Sequence, residues 1–258
     1  VSTAERIEAI IDNAGGQSPV LLVCEHASAF LPDVYAGLGL DEKLLADHVA
    51  WDIGAYDLAL LMAERLDAAL IAAPVSRLLI DVNRHHDAHD LIPVSAEGAP
   101  VPGNLDLAEE KRARRIAAYH APFHDAIEAH LQSAPHIHAI VSVHSFTPTL
   151  FGKARPWHAG LLHDDDRFIA DIMIDALVAE NDLVIGRNEP YAPTDGVFYT
   201  MNRHARAHAS AMIEVRNDLI ADSVGQMRWA NRLAPALDAA LAALSAQKNP
   251  ASAAGKRS

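Results

Sequence analysis

His26, His144 and Glu214 each stand at or near the end of a short apolar run, and a fourth run carries an Arg at its start and an Asn-Arg pair at its end. These residue types suit hydrolysis of an acidic substrate. Two imidazoles and a carboxylate can hold a divalent metal that activates water. A guanidinium fork, with a neighbouring amide, matches a carboxylate through parallel hydrogen bonds. The fourth run is Ser76-Arg77-Leu78-Leu79-Ile80-Asp81-Val82-Asn83-Arg84, and its three successive large aliphatics predict a strand. The competing explanation for its arginines is a surface salt bridge, a feature worth only roughly 0 to 1 kcal/mol.

Three further strands must position the remaining groups. Pro19-Val20-Leu21-Leu22-Val23-Cys24 leads directly into Glu25-His26, Ala139-Ile140-Val141-Ser142-Val143 leads into His144-Ser145, and Ala211-Met212-Ile213-Glu214-Val215-Arg216 carries a carboxylate within an apolar run. Apolar runs alternate with amphipathic helical patterns, which is the signature of an α/β sheet. In such sheets ligands bind outside the carboxyl ends of the strands, so these residues are expected to converge there. Helices are predicted over 41–69, 105–133, 167–181 and 225–244, and shorter strands at 70–73, 158–162 and 183–187. Residues 91–104, 147–155 and 191–196 read as loops, and loops of this length in a compact domain are often functional. One domain is expected over 1–246, with 247–258, small and polar, as a disordered tail.

Several ordered motifs resemble the N-formylglutamate amidohydrolase family over about residues 19–235: Cys24-Glu25-His26-Ala27-Ser28, Trp51-Asp52-Ile53-Gly54, the 77–84 segment, Val143-His144-Ser145-Phe146, Pro190-Tyr191-Ala192-Pro193-Thr194-Asp195-Gly196 and Ile213-Glu214-Val215-Arg216. More distantly the chain is similar to the zinc carboxypeptidase and aspartoacylase group, whose Asp-Leu-Asn-Arg substrate-carboxylate motif Asp81-Val82-Asn83-Arg84 resembles. The resemblance implies a three-layer α/β fold with a mixed, mostly parallel central sheet and helices on both faces. It also implies cleavage of the N-formyl group from an acidic amino acid such as N-formyl-L-glutamate, with a divalent metal, zinc first, as cofactor. Arg77 would then stabilise the oxyanion, Asn83 and Arg84 would grip the substrate carboxylate, and Glu214 would move the proton. Two other outcomes are a hydrolase of another N-acyl amino acid or γ-glutamyl peptide, and a non-catalytic protein that binds acidic ligands.

One departure from the distant group concerns its His-x-x-Glu ligand pair, because Ala29 stands three residues after His26. The third ligand must come from elsewhere, with Asp52 the first candidate and Glu25 the alternative. Strand alternation would point Glu25 and His26 to opposite faces unless the strand has already turned. Of the other histidines, His120, His124 and His130 are expected to line a helix surface, and His204 to lie in a loop near the substrate. Arg216 joins Arg77 and Arg84 as a positive island in an otherwise acidic chain.

The formal net charge of −13 and the lack of a basic stripe argue against nucleic acid or an anionic membrane as partner. A small anionic N-acyl amino acid is the expected ligand. The single cysteine excludes an internal disulfide framework and makes the cytoplasm the expected compartment. Neither an apolar signal core in the first residues nor a bilayer-length apolar run is present.

Overall fold

In the computed structural model, which describes residues 6–248, seven strands build the central sheet: β1 (Ile10–Asp12), β2 (Val20–Cys24), β3 (Ala69–Ala72), β4 (Ala139–Phe146), β5 (Ala159–Leu162), β6 (Ile185–Arg187) and β7 (Ala209–Arg216). Their spatial order is β1-β3-β2-β4-β7-β5-β6. The β1–β3 and β7–β5 pairs are antiparallel and the other four are parallel. The expected mixed, mostly parallel sheet is therefore present.

Alternation along the strands divides the core. Val20, Leu22, Val141, Val143 and Val215 face one side, where the helices Ala55–Leu66, Phe168–Val178 and Ser223–Lys248 cover them. Leu21, Val23, Ile140 and Met212 face the other, against Phe123 and Ile127 of the helix Ala121–Ser133. Three layers result. Because β4 and β7 are parallel and in register, Met212 pairs with Ser142 and Glu214 with His144, so the His and the Glu project side by side from the second face.

Four sequence expectations need correction. The 41–69 helix is two helices, Glu42–Ala46 and Ala55–Leu66. Asp41 caps the first through its side chain, as its spacing to Leu44 suggests. The interruption holds the Trp51-Asp52-Ile53-Gly54 element, where Gly54 adopts φ 78°, and a Cβ there would collide with the Ile220 carbonyl oxygen. The 105–133 helix begins only at Glu109 and passes through a π turn at Ile116–His120 just before Pro122, whose missing N–H and bulky ring disrupt the α ladder.

The third correction concerns 77–81, which is a turn and not a strand. Leu78, Leu79 and Ile80 do not join the sheet; they fill a separate apolar cluster with Leu38, Ala50 and Val75 under the outer loops. Ser76 organises the turn, accepting from the N–H of Leu79 and donating its hydroxyl to the Ala50 carbonyl. The turn brings Arg77 and Asp81, four residues apart, to within 3.2 Å, whereas in a strand they would share a face but stand roughly 13 Å apart. The expected tail at 247–258 also shifts: Gln247 and Lys248 belong to the last helix, and 249–258 lie outside the described residues.

Candidate active site

The carboxyl ends of β2, β4 and β7 and the 77–84 segment surround a cavity of about 110 Å³. His26, Asp52 and His144 form its floor, Arg77, Asn83 and Arg84 one wall, and Glu214 and Tyr191 another. Ligand atoms of His26, Asp52 and His144, all buried, lie within 4.8 Å of one another. The chain has turned at Glu25-His26, so these neighbours diverge. Glu25 stays on the second face of the sheet and His26 swings over the strand end.

Asp52 is the hub. Its backbone N–H donates to the His26 carbonyl at 2.9 Å, which fixes the 51–54 element against the end of β2. Its Oδ2 lies 3.3 Å from His26 Nδ1 and 2.7 Å from His144 Nδ1, and its Oδ1 lies 3.4 Å from Arg77 Nη1. Each imidazole meets a second carboxylate through its other nitrogen. His26 Nε2 is 2.8 Å from Asp81 Oδ1, and His144 Nε2 is 3.0 Å from Glu25 Oε2, the same oxygen that accepts from the Ser142 hydroxyl. With the Nε2 atoms facing Asp81 and Glu25, both Nδ1 atoms converge on one Asp52 oxygen, where either a proton or a metal cation can bridge them. A carboxylate behind each imidazole is the outer arrangement that orients metal-ligating histidines. The residues therefore fit a metal ion held by His26, His144 and Asp52. Glu25 lies behind His144, away from the converging atoms.

The electrostatics follow from this packing. Burial disfavours the Asp52 carboxylate, yet His26 and His144 hold it below the usual carboxylate range. Burial also works against the His144 imidazolium, but Glu25 and Asp52 raise it well above the ordinary histidine value. Glu214, 4 % exposed, goes the other way: burial pushes its carboxyl up to about 8, with Asp52 adding to the rise and His144, Arg77 and Arg155 opposing it.

Seven sequence-predicted residues thus meet in one cavity: His26, His144, Asp52, Arg77, Asn83, Arg84 and Glu214. Two others do not. Arg216, the last residue of β7, pairs with Asp218 two residues on, at 2.7 Å, and does not line the cavity. His204 lies in a short helix, Tyr199–His204, rather than a loop, and lines a separate surface depression with Arg203 and Arg206. Asp81 and Tyr191 lie within the sequence motifs, but their residue types and spacing marked no role for either. Asp81 carries the ion pairs to His26 and to Arg77 Nη2 at 3.2 Å. Tyr191 lines the cavity, its hydroxyl accepting from Arg155 Nη2 at 3.0 Å. Arg155, itself buried, had no sequence signal beyond lying in a predicted loop.

Behind the wall formed by Asn83 and Arg84 lies a histidine group that ties acid stability to the fold. His124 Nδ1 and His204 Nε2 are 2.9 Å apart, and burial lowers both imidazoles, His204 to about 4 and His124 well below its ordinary range. Unfolded, each titrates near 6.5. As pH falls below that value the unfolded chain takes up protons that the fold refuses, so stability is full above about pH 7 and declines as pH falls from about 6.5 towards 4. The expected slope is on the order of 1 kcal/mol per pH unit, discounted at His204 for its partial exposure. Melting temperatures between about pH 6.5 and 5 check this, and His204→Gln should flatten the decline. An identical slope in that variant would remove His204 from the effect.

An α/β sheet whose strand ends carry a buried His-Asp-His set beside arginines and a buried Glu defines a hydrolase-type site able to hold a metal. The comparisons specify it further. A family model for N-formylglutamate amidohydrolase matches residues 18–221, and the chain belongs to that amidohydrolase family. A gene product of Agrobacterium tumefaciens of known crystal structure is 40 % identical, with a TM-score of 0.89 over 95 % of this chain and 98 % of that one. An N-formylglutamate amidohydrolase from Ralstonia eutropha shares the fold at 20 % identity, with a TM-score of 0.68 over 92 % of this chain and 95 % of that one. No curated protein matches. Among the described residues no helix is long and apolar enough to cross a membrane.

Proposed function

We propose that this chain hydrolyses the amide of an N-acylated acidic amino acid, with N-formyl-L-glutamate as the first substrate to test and formate and glutamate as products. The observation that supports this best is the shared cavity, in which a metal-compatible floor faces two guanidiniums across about 110 Å³, a volume suited to a small anionic molecule. His26, His144 and Asp52 would hold a divalent ion, zinc first, since two imidazoles and a carboxylate are a donor set that zinc favours. When bound, such an ion polarises a carbonyl and lowers the pKa of water.

The chain's own residues supply the rest. Arg84, with the Asn83 amide beside it, grips the substrate carboxylate and sets the scissile amide over the floor. The Asn83 amide already donates to the Val197 carbonyl and accepts from Thr200 N–H, so it offers its one remaining hydrogen from a fixed direction. Arg77, anchored by Asp52 and Asp81, donates to the oxygen that becomes negative as the tetrahedral intermediate forms, a contribution of about 3 kcal/mol. Glu214 takes a proton from the attacking water and returns it to the leaving amine; burial raises its carboxyl to about 8, which suits the donating step, and a cation held by the facing His26, Asp52 and His144 would lower it and favour the carboxylate that accepts the proton.

The test is turnover of N-formyl-L-glutamate against N-acetyl-L-glutamate, a γ-glutamyl dipeptide and an N-formyl amino acid with an apolar side chain, each with zinc-loaded and chelator-treated protein. The expected result is preference for the N-formyl acidic substrate, loss of turnover on chelation and recovery with zinc. Full turnover by protein shown by elemental analysis to lack metal would overturn the metal assignment. Equal turnover of the apolar substrate would overturn the acidic one.

A further inference from the structure

We infer that His120 and His124 are positioning residues for the carboxylate clamp, because their Nε2–H groups hold the two backbone carbonyls that flank Asn83. His124 Nε2 donates to the Val82 carbonyl and His120 Nε2 to the Arg84 carbonyl, both at 2.9 Å. This rests on the reading of Asn83 and Arg84 as the clamp and adds the residues that aim it.

The segment needs such support because it has no strand partner. Since 77–84 is not part of the sheet, no ladder takes up these carbonyls, and carbonyls in a buried segment require donors. The two imidazoles provide them from one helical face, at i and i+4 spacing just after the π turn that ends at His120. Burial lowers both imidazoles, so at neutral pH each is a neutral ring with one donor, and the carbonyl bond places that donor at Nε2. His124 Nδ1 is then an acceptor, filled by His204 Nε2–H. The circuit closes through the helix Tyr199–His204, whose Thr200 N–H donates to Asn83 Oδ1 at 3.0 Å. Tyr199 fills the space between, its ring centroid 5.3 Å from that of His124 and 5.9 Å from that of His120. Asn83 is thereby held through both flanking carbonyls and its own amide, which fixes the direction in which the clamp faces the cavity. Misplacement by about 1 Å in such a group is enough to cost on the order of 10²-fold.

The experiment compares His120→Ala, His124→Ala, His120→Gln and His124→Gln with the parent protein in two measurements: kcat and KM for N-formyl-L-glutamate, and amide hydrogen exchange of peptides covering 81–85. The expected result for the Ala variants is a rise in KM of about tenfold or more with kcat within about threefold, together with faster exchange at 82–85 but not in β2 or β4. The Gln variants, which keep a donor at the reach of Nε2, should recover most of both. A merely structural role would instead lower melting temperature and kcat together without rescue by Gln, and that pattern overturns the inference. So does unchanged KM with unchanged exchange. If the parent protein hydrolyses none of the substrates, the functional reading fails separately. Exchange at 82–85 then decides the positioning role alone, and parent-like protection in both Ala variants overturns it.

Discussion

Glu214→Gln should abolish nearly all turnover while leaving metal content at the level of the parent protein. The amide keeps the shape of the carboxyl but can neither accept a proton from water nor return one to the leaving amine. General acid–base catalysis is worth about 10² to 10⁴-fold, so a fall in kcat on the order of 10³, about 4 kcal/mol, is expected. The ligand set is untouched, because Glu214 faces it from β7 in register with His144 and contributes none of its converging atoms. Stability should be equal or higher, since burial disfavours the carboxylate and Glu214 Oε2 has no hydrogen-bond partner to lose. The opposing view, that Glu214 is the buried partner of an arginine on its own strand, is weakened by Arg216 pairing with Asp218 instead. Kinetics, elemental analysis and thermal melting on the same preparation check the prediction. A Gln variant with reduced melting temperature but parent-like kcat per folded molecule would remove Glu214 from the mechanism.

Arg84→Lys should lower kcat/KM for N-formyl-L-glutamate by about 10²-fold even though the charge is kept. An ammonium cannot reproduce the planar fork that meets a carboxylate through two bonds. The fork is also used within the protein: Nε pairs with Asp90 at 2.7 Å and Nη1 donates to the Asn83 and Gly196 carbonyls at 3.1 and 3.2 Å. A small drop in melting temperature is therefore expected, in keeping with about 1 kcal/mol for a partly exposed pair. Asp90→Asn separates the two effects, since it releases the Arg84 anchor but leaves the guanidinium. The decisive comparison uses a substrate analogue lacking the side-chain carboxylate. Both changes delete the same contact, so the analogue should lose little more when Lys is introduced, and the two losses should not add. Simple additivity would mean that another group, with Arg77 the nearest, holds the carboxylate.

The seven converging residues show how much of the site was legible. Those carried on strands were found by position. A buried run that ends in His or Glu places that side chain at the sheet's carboxyl edge, and this held for His144 and Glu214 and, one turn later, for His26. Arg77, Asn83 and Arg84 were found for their chemistry but assigned the wrong local structure. Leu78, Leu79 and Ile80 look alike whether they fill a sheet or a side cluster, and three residues are too few for periodicity to tell. Arg216 misled for the opposite reason. It follows Glu214 at strand spacing, but the chain leaves the sheet there and Asp218 captures the guanidinium locally. The histidines at 120 and 124 were placed on one helix face, yet nothing local reveals that this face meets two carbonyls 36 and 42 residues back in the chain.

By itself the sequence determined the class of fold, most of the sheet's strands, the family and which residues have the chemistry to hold a metal or move a proton, because side-chain alternation and chemistry are local properties. Tertiary structure alone brought Asp52, rather than Glu25, to the point where the two imidazoles converge. Asp52 reaches His26 and His144 only because its backbone N–H bonds to the His26 carbonyl and Gly54 turns the chain where Ile220 leaves no room for a Cβ. It likewise set Asp81 and Glu25 behind the two imidazoles. Contacts of this kind join residues 55 and 119 positions apart, His26 to Asp81 and Glu25 to His144, and their strength comes from burial that no single segment carries in its own residues.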